Sequence, residues 1–171
     1  KCSNLMNYYF NKTSIFIILY LSLLIGFFFD ENSSGGALGD FTTRFKLIEN
    51  FRDNFIYTFL NYDQFYDRHS PSLIILLSSL AKIGFGIDSI RFIHLHFLPL
   101  LIIIFYKSVR LKFPNINKDI ILIFCTVFFL SPSLRSISIW PDSRLLGLLF
   151  FVLSIYFFLK FKKNNKFIDC I

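Results

Sequence analysis

Charge is scarce in this chain. Only 17% of its residues are Asp, Glu, Lys or Arg, against 54% hydrophobic. That balance excludes a disordered, self-solvating segment and argues against an ordinary soluble domain. Cysteine is also sparse: Cys2, Cys125 and Cys170 are widely spaced, with no CxxC pair. Neither a disulfide framework nor a cysteine-based metal site is indicated; no cofactor is called for, and a need for a divalent metal is left open. The seven glycines include no G-x-x-x-x-G-K phosphate loop. The net charge of +7 does not point to nucleic acid, because the Lys and Arg cluster beside apolar runs, where they act as topology signals.

Phenylalanine and long apolar runs are what the chain has in abundance. Phe alone occurs 25 times. Five apolar stretches stand out: Thr13–Phe29, Pro71–Ile83, Ser89–Tyr106, Asp119–Leu130 and Leu145–Phe161. A spanning helix needs about 20 residues, with about 17 as a lower limit. Pro71–Ile83 is too short, and Asp119–Leu130 reaches spanning length only by running on toward Ile137. Lys1 and Lys12 precede the first stretch and put the N-terminus in the cytoplasm. Lys107, Arg110, Lys112 and Lys118 precede the fourth; Lys160, Lys162, Lys163 and Lys166 follow the fifth. If all five stretches span, both basic clusters fall outside. If Pro71–Ile83 is a re-entrant or interfacial helix, both fall inside, which obeys the positive-inside rule.

The expected fold is therefore all-α. It is a polytopic membrane helical bundle of four spans plus one short helix, forming a single unit over residues 1–171. The Phe, Ile, Lys and Asn bias suits an AT-rich bacterial genome and hence a bacterial plasma membrane.

Two segments then share the outer face: a loop over about 30–70 and the segment 131–143. Within the loop, Phe41, Phe45, Ile48 and Phe51 form a helical stripe, which predicts an amphipathic helix over about 40–54 lying on the membrane surface. Ser70-Pro71, Asp88-Ser89 and Asn117 offer helix starts. Acids at a membrane helix exit are costly unless something needs them there, so Asp30-Glu31 is a functional candidate. The alternative is two solvated acids ending a helix against its dipole. Asp67-Arg68-His69-Ser70-Pro71 is the second cluster; His69 suits a general base, a hydrogen-bond donor to phosphate, a metal ligand or simply a capping residue. Arg135, Trp140 and Asp142 form the third. Arg135 suits a phosphate or carboxylate partner, and equally an interfacial anchor beside Trp140. His94 and His96, two residues apart, point to different helix faces and make poor joint metal ligands.

These elements resemble a known pattern. Phe29-Asp30-Glu31 with Gly35-Gly36 is similar to the first outer loop of protein O-mannosyltransferases. Asp67-Arg68-His69-Ser70-Pro71-Ser72-Leu73 resembles their Asp-x-His-Pro-Pro-Leu element, with Ser70 for the first Pro; bacterial lipid A aminoarabinose transferases carry a similar Pro-Pro-Leu segment. Arg135 through Ser143 resembles their Ser-Arg-x-x-x-x-Asp-Ser element, with longer spacing. The resemblance is to the GT-C superfamily of polyprenyl-phosphate-sugar-dependent glycosyltransferases, of the glycosyltransferase family 39 type. It implies transfer of a sugar, with inversion, from a polyprenyl-phosphate donor to a hydroxyl of a protein, lipid or glycan on the non-cytoplasmic side. It implies Asp30 as catalytic base with Glu31 beside it, and Asp67, His69, Arg135 and Asp142 around the donor. Members of that family have many more spans, so this chain reads as an N-terminal portion. Two readings compete: a small membrane scaffold or assembly subunit, and a polysaccharide flippase or polymerase fragment. A scaffold has no need for these three clusters on one face, and a transporter would carry more polar residues inside its spans.

Overall fold

The structure is a computed structural model, which describes residues 12–65, 67 and 69–164. Lys1, Arg68 and Lys166 lie outside the described residues. Among the described residues the fold is all-helical, without strands. In chain order the helices are α1 (Lys12–Phe28), α2 (Ala37–Asp53), α3 (Phe55–Leu60), α4 (Ser72–Lys82), α5 (Ile87–Leu95), α6 (Phe97–Lys112), α7 (Lys118–Thr126), α8 (Pro132–Ile139) and α9 (Ser143–Asn164), with 3₁₀ turns at Tyr62–Phe65 and Val127–Leu130.

Two of these pass as membrane spans by length and composition: Ile87–Lys112, which joins α5 to α6, and α9. A third qualifies if α7 with its 3₁₀ turn and α8 count as one span bent by 66°. The described α1 has 17 residues, at the lower limit of spanning, and α4 has 11. The break between α5 and α6 has a local cause. Pro99 lacks an N–H, and its ring crowds the carbonyl four residues back, at Leu95 where α5 stops. The bend after Leu130 is set by Ser131 and Pro132, with the Ser131 hydroxyl accepting from the Leu134 N–H at 3.4 Å.

One end of the bundle carries a polar layer. The C-terminus of α1 meets α5 through Asp30 and Arg91, and meets α8 through Glu31 and Arg135. His69, just before α4, meets Ser143 at the start of α9. The span α5–α6 and α9 both leave this layer, and α6 packs along α9. Lys107, Arg110, Lys112, Lys160, Lys162 and Lys163 sit toward their far ends. A 26-residue helix is about 39 Å long at about 1.5 Å per residue, so the basic clusters lie well away from the acidic layer. The chain lies in the layer both before and after α4, at His69 and at Asp88 beside Arg91.

Three expectations change. The stripe of α2 is not laid against lipid: Phe41, Ile48 and Phe51 are buried and α2 packs mainly on α4, which offers Leu73, Ile74 and Leu77. The exposed apolar surface falls instead on α3, at Ile56 and Leu60. Second, α5 starts at Ile87 after Gly86, so Asp88 lies in its first turn rather than at its cap; α4 starts at Ser72, and Ser70 keeps a capping contact, its hydroxyl accepting from the Ser72 N–H at 3.4 Å. Asn117 does cap α7, accepting from the Asp119 N–H at 2.8 Å. Third, Trp140 is no interfacial anchor; it is 8% exposed and turned inward.

The end of α1 is a Schellman closure. Asp30 takes the left-handed conformation (φ 51°). Its N–H bonds the Phe27 carbonyl at 3.2 Å, and the Glu31 N–H bonds the Gly26 carbonyl at 2.8 Å. Asp is among the few non-glycine residues that enter this region readily. The closure folds the Glu31 side chain back over Gly26. A Cβ at Gly26 would collide with Glu31 Oε2 and lie 2.8 Å from Arg135 Nη2. Gly147, in contrast, has nothing within 4 Å of where its Cβ would stand. Gly26→Ala should therefore destabilise the protein by about 1–3 kcal/mol, whereas Gly147→Ala should hold or slightly raise stability. Thermal unfolding in detergent, monitored by circular dichroism, checks the contrast.

Candidate functional site in the polar layer

The layer holds two groups of charged side chains joined by the short segment Trp140–Asp142. In the first group Glu31 grips Arg135. Arg135 Nε donates to Glu31 Oε1 at 2.8 Å and Nη2 donates to Oε2. The other Arg135 hydrogens go to the Ser22 carbonyl (3.0 Å), the Ser22 hydroxyl (3.4 Å) and the Phe129 carbonyl (3.4 Å). The guanidinium is thus committed to protein acceptors on α1 and before α8. Ser33 adds a hydrogen bond to Glu31 Oε1 at 2.9 Å, and Trp140 Nε1 donates to the Glu31 carbonyl at 3.1 Å. The Arg135 hydrogen bonds, aided by Ser33, hold the Glu31 carboxyl below its ordinary pKa against the opposing effect of partial burial.

Asp30 faces the other way. Its Oδ1 accepts from Arg91 Nη2 at 2.6 Å, while the side chain stays 64% exposed. Arg91 is nearly buried. It also reaches Asp88 (3.1 Å) and the Ile139 carbonyl (3.4 Å). Its guanidinium carbon lies 3.7 Å from the Trp140 ring centre and 5.1 Å from that of Phe27. Stacking between two aromatic faces fixes the guanidinium plane, and so fixes Asp30.

The second group centres on Asp142, whose side chain is 1% exposed. It accepts from the Arg144 backbone N–H, Nε and Nη2, each at 2.8 Å. Arg44 Nη1 lies 3.7 Å from Asp142, and Arg44 Nε lies 3.5 Å from Asp67. Burial alone would raise the Asp142 pKa. The hydrogen bonds from Arg144 and the charges of Arg144 and Arg44 outweigh it and hold the carboxyl below its usual value. Asp67 accepts from the His69 N–H at 2.9 Å, and Tyr62 donates its hydroxyl proton to the His69 carbonyl at 2.8 Å. Burial, with the Asp67 charge nearby, pushes the Tyr62 phenol up to about 12. His69 Nδ1 lies 3.1 Å from the Ser143 hydroxyl.

All six candidates, Asp30, Glu31, Asp67, His69, Arg135 and Asp142, therefore lie in this layer. Glu31 and Arg135 are direct partners. Asp67 and Asp142 flank Arg44, and His69 adjoins Ser143. Asp30 contacts none of the other five through its side chain and belongs to Arg91. Arg91 is the residue that sequence reasoning passed over. It is the lone Asp, Glu, Lys or Arg within Ser89–Tyr106, and a charge inside an apolar run was the signal for it. His94 and His96 diverge as their spacing predicts. His94 Nδ1 lies 3.1 Å from the Ser138 carbonyl. His96 Nδ1 donates to the Phe92 carbonyl (2.7 Å), leaving Nε2 to accept from Tyr20 (2.8 Å). Among the described residues no group of three or more His, Cys, Asp or Glu is placed to hold a metal ion.

Comparisons with protein-family models, with curated proteins and with solved structures gave no significant match.

The two depressed carboxyls set a pH dependence. A carboxyl with a folded pKa below its unfolded one stabilises the fold above the unfolded value, and that stability is lost as pH falls through the folded value. Thermal stability should therefore be level above about pH 4.5, the ordinary value for Glu31, and decline below it. Arg135→Met, which strands Glu31 in a half-buried site, should cost about 3–5 kcal/mol at neutral pH. The double variant with Glu31→Met should recover much of that loss. A double-mutant cycle of unfolding free energies measures both.

Proposed function

We propose that this chain is the donor-side part of a membrane glycosyltransferase. It would move a sugar from a polyprenyl phosphate to an acceptor hydroxyl at the non-cytoplasmic face, with inversion and with Asp30 as general base. The observation that carries the reading is the state of Asp30. It is a largely exposed carboxylate in a left-handed closure at the end of an apolar helix, oriented by a nearly buried arginine. A carboxylate with no functional task has little reason to be held this firmly at that boundary.

The mechanism follows from the acid–base chemistry of the layer. The acceptor hydroxyl approaches Asp30 from the water side and gives up its proton as its oxygen attacks the anomeric carbon. The sugar–phosphate bond breaks on the opposite face, and the polyprenyl phosphate leaves with the bonding electrons. Arg91 keeps Asp30 aimed. Arg135, whose hydrogens are already committed, acts by anchoring Glu31 and α8 rather than by binding phosphate. A groove of about 310 Å³ between α4 and α9 suits the lipid phosphate better. Its polar end has His69, Ser72, Ser143 and Arg144; its apolar end has Gly147 and Phe150, along a candidate span. An isoprenoid tail fits that gradient.

Four helical passages, α1, α5–α6, α7–α8 and α9, with the N-terminus in the cytoplasm, are the arrangement we propose. The separation of the basic clusters from the acidic layer supports it, as does the chain's return to that layer on both sides of α4.

Two measurements test this reading. In proteoliposomes of the full-length protein supplied with a panel of polyprenyl-phosphate hexoses and aminoarabinose, polyprenyl phosphate should be released. Asp30→Asn should cut that release by about 10²–10⁴-fold. Asn also tolerates the left-handed conformation, so the fold should survive, and unchanged turnover would refute the base assignment. In a cysteine-free background, a cysteine at Ser34 should react with an impermeant maleimide from outside, whereas one at Asn115 should react only after the membrane is opened. External labelling at Asn115 would overturn the topology.

A further inference from the structure

A polar cleft of about 610 Å³ lies between α2 and the residues Phe65, Asp67 and His69. That volume is in the range of small-molecule sites. Its lining includes Thr43, Arg44, Asn50, Phe65, Asp67 and His69. Two buried side-chain atoms there, Arg44 Nη1 and Asp67 Oδ2, have no hydrogen-bond partner. The Asp67 side chain is only 7% exposed. Each stands only at ion-pair distance from an opposite charge, Arg44 Nη1 3.7 Å from Asp142 and Asp67 Oδ2 3.5 Å from Arg44 Nε, so their hydrogen-bonding capacity is left open to a partner that arrives.

The pattern of those atoms defines the partner. One is a donor and the other an acceptor, and Arg44 Nε stands 3.5 Å from the Asp67 carboxylate. A hydroxyl group serves both at once, accepting from Arg44 and donating to Asp67. Among the described residues the formal charges lining the cleft cancel: Asp40 and Asp67 face Arg44 and Lys46. Behind them, Asp142 is neutralised by Arg144. A balanced cleft gives little preference to a phosphate or to a cation, whereas a neutral polyol gains hydrogen bonds without unbalancing it. Asn50 and Thr43 extend the polar wall, and Phe65 supplies an aromatic surface for the C–H face of a pyranose ring.

We infer that this cleft is a carbohydrate site, which binds a hexopyranose through its hydroxyls between Arg44 and Asp67. His69 lines both this cleft and the α4–α9 groove. A sugar here and a lipid phosphate there would thus meet at one residue. That the bound sugar takes part in transfer rests on the glycosyltransferase reading; the binding itself does not.

Saturation-transfer NMR on the full-length protein in nanodiscs, with methyl glucoside, galactoside and mannoside as probes, tests the site. At least one probe should show saturation transfer. Asp67→Asn should weaken its binding about 10-fold or more, as expected for losing a hydrogen bond to a charged group. Because Asp67→Asn touches a buried ion pair, Thr43→Trp is the second variant. It fills the exposed wall of the cleft without removing a charge, and should abolish the signal. No signal from any probe, or a signal untouched by Thr43→Trp, would overturn the site. Displacement of the bound probe by a short-chain polyprenyl-phosphate hexose identifies the ligand as the donor's sugar; retention identifies it as the acceptor's; either upholds the cleft. Sugar binding without any transfer would refute the transferase and leave the cleft standing. Transfer at an undiminished rate in Thr43→Trp would overturn the cleft's part in the reaction and leave the transferase standing.

Discussion

The Glu31–Arg135 pair is the interaction on which the polar layer depends. It joins the end of α1 to α8 across a separation of 104 residues, at the point where an apolar bundle meets water. Neither partner could sit there alone, because an unpaired charge at a half-buried site costs several kcal/mol. The pair demands space, which Gly26 provides, and a backbone that turns the carboxylate inward, which the Schellman closure at Asp30 provides. Glycine, closure and ion pair are one device, and each part fails without the others.

That device has a consequence for Asp30. The same turn that points Glu31 into the bundle points Asp30 out toward water and toward Arg91. Adjacent carboxylates thereby acquire opposite roles: one locks helices together, the other remains available at the surface. Arg91 could not serve this purpose as an isolated cation in an apolar helix. Stacked between Trp140 and Phe27, with two carboxylates and a carbonyl around it, it is both satisfied and immobile. Trp140 links the two halves of the layer, since its ring covers Arg91 while its N–H holds the Glu31 backbone.

The second half of the layer is built differently. Asp142 is almost fully enclosed, yet Arg144 is its neighbour two residues on and folds back to it through three hydrogen bonds. Such local closure lets a carboxylate be buried cheaply. Arg44 is less well served, standing between Asp67 and Asp142 at ion-pair rather than hydrogen-bond distances. Arg135 is thus saturated by protein acceptors and Arg44 is not. Residue type alone does not reveal it.

Helix content, the position of the apolar runs and the clustering of polar residues at 30–31, 67–69 and 135–142 were legible in the sequence, because periodicity and hydropathy are local properties. So was the shortness of the helix after Pro71. The role of the α2 stripe was not: Phe41, Ile48 and Phe51 would suit lipid or protein equally, and only the proximity of α4 chose protein. Arg91 was visible as a misplaced charge, but its partner Asp30 lies 61 residues away. Which acid takes which arginine depends on helix packing and on the direction of one backbone turn. The sequence by itself determined that charge would gather at the edges of an apolar, helical chain. Only the tertiary structure decided the pairing, because an ion pair is a matter of a few ångströms between segments that the linear order keeps far apart.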